Sequence, residues 1–90
     1  MTQTDLTPKK IIIDVRSEEE FLSGSAIGAI NIPLNEIERR ADEIAEMKGD
    51  IILCCASGNR SGMAQQFLAQ KNIKTYNGGS WISANNFQIA

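Results

Sequence analysis

Ile51-Ile52-Leu53-Cys54-Cys55-Ala56-Ser57-Gly58-Asn59-Arg60-Ser61-Gly62 is the stretch that decides the fold. Its first five residues are an unbroken apolar run, the pattern of a strand buried on both faces. Small and turn-forming residues follow, and a helical pattern runs from Ser61 to Lys71 with Ala64, Phe67 and Leu68 on its inner face. A buried strand that feeds a helix through a short polar loop is the unit of a parallel α/β sheet.

The rest of the chain repeats that alternation. Ile11-Ile12-Ile13-Asp14-Val15 is a second buried strand. Ser17 with Glu20 three residues on forms a capping box, which predicts a short helix from Glu18 to Leu22 ended by Gly24. Ala29-Ile30-Asn31-Ile32, between Gly28 and Pro33, is a short extended segment. Asn35 is placed to cap a helix over Glu36–Lys48, whose inner face is Ile37, Ala41, Ile44 and Ala45 and which Gly49 ends. Ile73-Lys74-Thr75-Tyr76 reads as a last strand, Asn77-Gly78-Gly79 as a sharp turn, and Ser80–Ala90 as a tail covering the sheet with Trp81, Ile82 and Phe87. The order predicts an α/β fold, a small parallel sheet with right-handed crossovers and helices on both faces. Residues 1–10 are polar and read as an arm, and 11–90 as a single domain.

Composition narrows the chemistry. The 90 residues are 42% hydrophobic and 22% charged, with a net charge of −2 and no polycationic footprint for nucleic acid. No stretch approaches the roughly 20 apolar residues of a membrane span, and the polar start is not a signal peptide. There is no histidine. Cys-His and Ser-His catalysis are thereby excluded, as are histidine metal sites. Two cysteines alone do not build a zinc site, so neither metal nor cofactor is expected. Their adjacency argues against a disulfide framework and for a reduced, cytoplasmic protein.

A reactive cysteine here needs something other than an imidazole to make it a thiolate, and the loop after the central strand supplies it. Gly58 and Asn59 tolerate backbone angles that curl successive amides inward. The helix beginning near Ser61 presents free N–H groups and its positive dipole end to the same point. Arg60 adds a planar guanidinium suited to an oxyanion. Such settings bring a cysteine pKa from about 8.5 into the range 3.5–7.5. Cys55 is the candidate nucleophile, Arg60 its partner, and Ala56, Ser57, Gly58, Asn59 and Ser61 the anion-binding loop. Cys54 alternates to the opposite face and packs in the core.

These residues resemble the rhodanese-type sulfurtransferases, in their short single-domain form, over most of the chain. Cys55-Ala56-Ser57-Gly58-Asn59-Arg60-Ser61 is similar to the family's C-x-x-G-x-R-S segment. Asp14-Val15-Arg16 with Glu20-Phe21 resembles its D-x-R…E-[FYW] signature, Gly28-Ala29-Ile30-Asn31-Ile32-Pro33 its G-A-I-N-I-P stretch, and Asn77-Gly78-Gly79 its late glycine pair. The chain departs from the pattern at Gly24-Ser25-Ala26, where G-H-I is usual, and at Cys54, where an aromatic or histidine is common. The resemblance implies transfer of a sulfane sulfur from thiosulfate or a persulfide to cyanide or an acceptor thiol through a Cys55 persulfide. A small sulfur-donor anion, and a sulfur-relay or thioredoxin-like protein, are the implied partners. It also implies that Asp14 and Arg16 are structural, with an Arg16–Glu20 pair expected. Two other classes share the loop. A Cys-dependent phosphatase or arsenate reductase would place five residues between Cys and Arg, whereas Cys55 and Arg60 enclose four. A binding or redox-sensing module would keep the fold without turnover, yet both Cys55 and Arg60 are present.

Overall fold

A computed structural model describes residues 9–89 of the chain. Four parallel strands, β1 (Lys10–Asp14), β2 (Ile30–Asn31), β3 (Asp50–Cys55) and β4 (Tyr76–Ser80), form one sheet in the order β2-β1-β3-β4. Between them run α1 (Glu18–Leu22), α2 (Leu34–Ile37), α3 (Ala41–Ala45) and α4 (Asn59–Gln70), and a 3-10 turn (Ala84–Asn86) follows β4. The expected α/β fold, a small parallel sheet flanked by helices, is the one observed. Of the polar arm over residues 1–10, residues 1–8 lie outside those described, and Lys10 already opens β1.

The unbroken apolar runs are explained by burial on both faces. Ile13, Val15, Leu53 and Cys55 face a core completed by Ile37 of α2, Ala41 and Ile44 of α3, and Ala64 and Leu68 of α4. Ile12, Ile52 and Cys54 point the other way, toward Ala26, Ala84 and Trp81. This second face is closed by the 3-10 turn and irregular segments, for α1 buries no side chain. Strand alternation thus sends Cys54 and Cys55 into different cores. Among the described residues, no helix is long and apolar enough to cross a membrane.

The structure corrects several expectations about local structure. The single helix over 36–48 is two short ones, because the Ala41 amide turns back to Glu38 O at 3.4 Å. The first begins at Leu34 rather than after an Asn35 cap, drawn forward by the Leu34 amide donating to Val15 O at 3.0 Å. Ile37, Ala41 and Ile44 are buried as expected, but Ala45 is exposed. The α4 helix starts two residues earlier than expected, at Asn59.

The last strand is also shifted. Ile73 closes α4 by donating its amide to Leu68 O at 2.9 Å, and pairing with β3 begins only at Tyr76 opposite Ile52. Asn77-Gly78-Gly79 is therefore strand rather than turn, with a register shift opposite Leu53–Cys55. Gly78 is needed there for space: a Cβ would stand 2.6 Å from Ile52 Cγ2.

Candidate functional site

Cys55 is the last residue of β3, and its carbonyl accepts from the Trp81 amide at 2.8 Å, which fixes the strand end. The chain then turns through Gly58, whose φ of +103° is left-handed and suits only glycine without strain. That turn aims amides back at the sulfur. Gly58 N donates to Cys55 Sγ at 3.0 Å and Ser61 N at 3.4 Å. The Ser61 hydroxyl lies 3.5 Å from Sγ and donates to Asn77 Oδ1 at 2.7 Å. Asn77 braces the loop from β4: its Nδ2 donates to Gly58 O at 3.1 Å, and its Oδ1 accepts from Gly79 N at 3.0 Å. Those two bonds orient the Asn77 amide without Ser61, so the single hydroxyl proton, on Asn77 Oδ1 in this arrangement, is free to turn to the sulfur when it is ionised, while the backbone amides donate to it throughout.

The two cysteines are electrostatic opposites. Burial pushes the Cys55 thiol up, but the Ser61 hydroxyl and the amides of Ser61, Ser57 and Gly58 outweigh it, and the pKa falls from 9.0 to about 7. Cys54, with burial uncompensated and the Asp14 carboxylate nearby, is pushed up to about 12. The thiolate of Cys55 is favoured by the fold, so its contribution to stability is present above the ordinary thiol value and is lost as pH falls through about 7. Alkylation by iodoacetamide is expected to follow one thiol with a midpoint near pH 7, and Ser61→Ala is expected to move that midpoint upward. A wild-type midpoint at the ordinary value near 8.5 would remove the cradle's role.

Arg60 and Glu20 meet across 40 residues of sequence. Arg60 Nη1 donates to Glu20 Oε1 at 2.7 Å and Nη2 to Oε2 at 3.1 Å, with both side chains more than a third exposed. The guanidinium and the Ser17 amide hold the Glu20 carboxyl near 2, well below its usual 4.5. This replaces the expected Arg16–Glu20 pair. Arg16 instead donates to both oxygens of Asp14, through Nε at 3.0 Å and Nη2 at 2.8 Å. It also donates to Gly24 O at 2.6 Å and stacks 4.7 Å from the Trp81 ring. With Nε and Nη2 on Asp14 and Nη2 also on Gly24 O, the Arg16 guanidinium is held in the interior, whereas Arg60, at the start of α4, reaches Glu20 directly.

Of the loop residues singled out from sequence, Gly58 and Ser61 are brought within hydrogen-bond distance of the sulfur, and the Ser57 amide also favours its thiolate. Ala56 and Asn59 are exposed at the lip, and Arg60 stands at the rim facing Glu20. Beside Arg60 opens a cleft of about 360 Å³ walled by Val15, Ser17, Pro33, Leu34 and Asn35. A larger one of about 530 Å³, lined by Gln65, Ala69, Ile73 and Thr75, lies at the far end of α4. Sequence reading missed Glu20 and Asn77 as parts of the site. Glu20 already had a local explanation in the capping box, and Asn77 had one in the supposed turn. Among the described residues, no group of three or more His, Cys, Asp or Glu side chains is placed to hold a metal.

Comparison with known proteins identifies the family and the fold. The model of the rhodanese-like domain family matches residues 3–81. The thiosulfate sulfurtransferase PspE of Escherichia coli is 37% identical over 59 residues, covering 64% of this chain and 57% of that protein. The chain spans 34%, 47% and 57% of the lengths of three bacterial relatives it matches. Among solved structures, a rhodanese-related protein of Thermoplasma volcanium is 33% identical with a TM-score of 0.70, covering 86% of this chain and 77% of that one. A rhodanese with anions from E. coli is 30% identical with a TM-score of 0.72, covering 82% of this chain and 89% of that one. With the family model spanning the whole sheet and the cysteine loop, the chain belongs to the rhodanese-like domain family.

Proposed function

We propose that this domain is a sulfurtransferase working through a persulfide on Cys55. The Cys55 thiolate attacks the sulfane sulfur of a donor such as thiosulfate; a sulfur–sulfur bond forms, the donor's own breaks, and sulfite leaves with the electron pair. The terminal sulfur of the persulfide inherits the negative charge. It passes to cyanide as thiocyanate, or to an acceptor thiolate as a new persulfide, and Cys55 leaves as the thiolate. No proton must move in the transfer to cyanide, which suits a site without histidine.

The observation that carries the reading is the pair of amides, Gly58 N and Ser61 N, converging on Cys55 Sγ at the N-terminus of α4. Donors fixed in place stabilise charge on sulfur at every stage with no reorganisation. Ser57 completes the ring of amides, while Ala56 and Asn59 shape its open lip. Arg60 keeps N–H groups beyond those given to Glu20, and these orient the donor's oxygens. Formation of thiocyanate from thiosulfate and cyanide tests the activity. Stoichiometric sulfite and thiocyanate are expected, and no thiocyanate from any sulfane donor would overturn the proposal.

A further inference from the structure

The charges around the site are arranged in an unusual way for a pocket that takes anions. Lys9, Lys48, Lys71 and Lys74 precede strands of the parallel sheet and Lys10 opens β1, so all five lysines lie at the end opposite Cys55. Each of the four arginines is paired: Arg16 with Asp14, Arg39 and Arg40 with Glu36, Arg40 also with Glu43, and Arg60 with Glu20. The loop residues Ala56–Asn59 are uncharged, and Glu18 and Glu19 stand exposed beside Glu20. What attracts an anion to Cys55 is therefore the partial charge of the amides and the α4 dipole, about half a charge, with the one nearby cation already neutralised. In addition, the cleft next to Arg60 has apolar walls in Val15, Pro33 and Leu34, a surface for a carbon group.

We propose that Glu20, by holding Arg60 in a two-point ion pair, sets donor choice: the site favours organic, singly charged sulfane anions (R–SO2–S⁻ or R–S–S⁻), whose carbon group lies in the apolar cleft, over the inorganic dianion thiosulfate. This deepens the sulfurtransferase reading and rests on it. With a thiosulfonate the step balances as before: Cys55 thiolate takes the sulfane sulfur, and the sulfinate R–SO2⁻ leaves with the bonding pair. Glu20 is a positioning residue here, acting through Arg60. A second carboxylate function also depends on it, since Glu20 Oε1 accepts from the Ser17 amide at 3.0 Å in the capping box. Glutamine can keep its oxygen on the Ser17 amide; it removes the charge and puts an amide N–H2 where Oε2 accepts from Arg60 Nη2 at 3.1 Å, which ends the two-point pair.

The test compares thiosulfate with the methanethiosulfonate anion in wild type and Glu20→Gln, with cyanide as acceptor. In Glu20→Gln, kcat/KM for thiosulfate is expected to rise by about fivefold or more, through KM rather than kcat, with a smaller gain for methanethiosulfonate. The change in the donor ratio cancels the donors' intrinsic reactivities. The gain should shrink as salt is added, and Glu20→Asp should restore the wild-type ratio. A wild-type measurement needs no variant: kcat/KM for thiosulfate should barely fall between low and physiological salt. A steep fall there, or a Glu20→Gln ratio within twofold of wild type, would overturn the proposal. Equal losses with both donors would overturn it too, by making Glu20 merely structural. If neither donor placed sulfur on Cys55, the sulfurtransferase reading itself would fail.

Discussion

Cys55→Ser is expected to abolish thiocyanate formation, by at least about a thousandfold, while Cys54→Ser stays within about twofold of wild type. The two thiols are neighbours in sequence and nearly equal in burial, so the contrast isolates what the loop does. Cys55 Sγ receives the amides of Gly58 and Ser61, and its pKa is brought to about 7. Cys54 faces Ile12, Ile52 and Ala84 on the other side of the sheet, and its pKa is about 12. At neutral pH only one of them is appreciably thiolate. Serine at Cys55 keeps the shape but offers a hydroxyl that the same amides cannot ionise at this pH, so persulfide chemistry stops. Parallel loss in Cys54→Ser, with the fold intact by circular dichroism, would mean that the two thiols act together.

The second large effect is on stability. Arg16→Ala is expected to cost about 3–5 kcal/mol, read as a fall in the urea midpoint, because it strands a buried carboxylate. Asp14 is fully buried and Arg16 is 4% exposed. Their two-point pair ties the end of β1 to Gly24 beyond α1 and carries the Trp81 ring, whose own amide holds Cys55 O. A small domain has only about 5–15 kcal/mol in total, so the variant stands near unfolding. Replacing both partners with apolar residues, Asp14→Leu with Arg16→Leu, should recover part of the loss, since no charge is then left unpaired. A cost under about 1 kcal/mol for Arg16→Ala would show that Asp14 finds water or another donor.

The parts of this molecule that sequence made legible are those governed by local rules. The unbroken runs at Ile11–Val15 and Ile51–Cys55 could belong only to strands covered on both faces, and two such strands separated by helical pattern require parallel pairing. The capping box at Ser17–Glu20 is present with both of its bonds. Cys55, Gly58 and Ser61 were legible because a strand end, a left-handed turn and a helix start are consecutive in the chain.

What sequence did not convey depends on distant partners. Nothing near Glu20 indicates Arg60, and the nearer Arg16 looked like the natural mate until the buried Asp14 claimed it. Asn77-Gly78-Gly79 has turn composition, yet its glycines serve the close approach of β4 to Ile52, and Asn77 became the brace of the cysteine loop. The start of α2 at Leu34 has a similar origin. The apolar spacing of Ile37, Ala41 and Ile44 is preserved, and only the tertiary tie of Leu34 to Val15 moves the helix start.

The most direct measurement is the intact mass of the reduced protein after incubation with excess sulfane donor, thiosulfate and methanethiosulfonate in separate samples. The expected result is a gain of one sulfur atom, mapped to Cys55, removed by cyanide with release of thiocyanate, and absent from Cys55→Ser. No gain with either donor, or a gain that maps to Cys54, would contradict it.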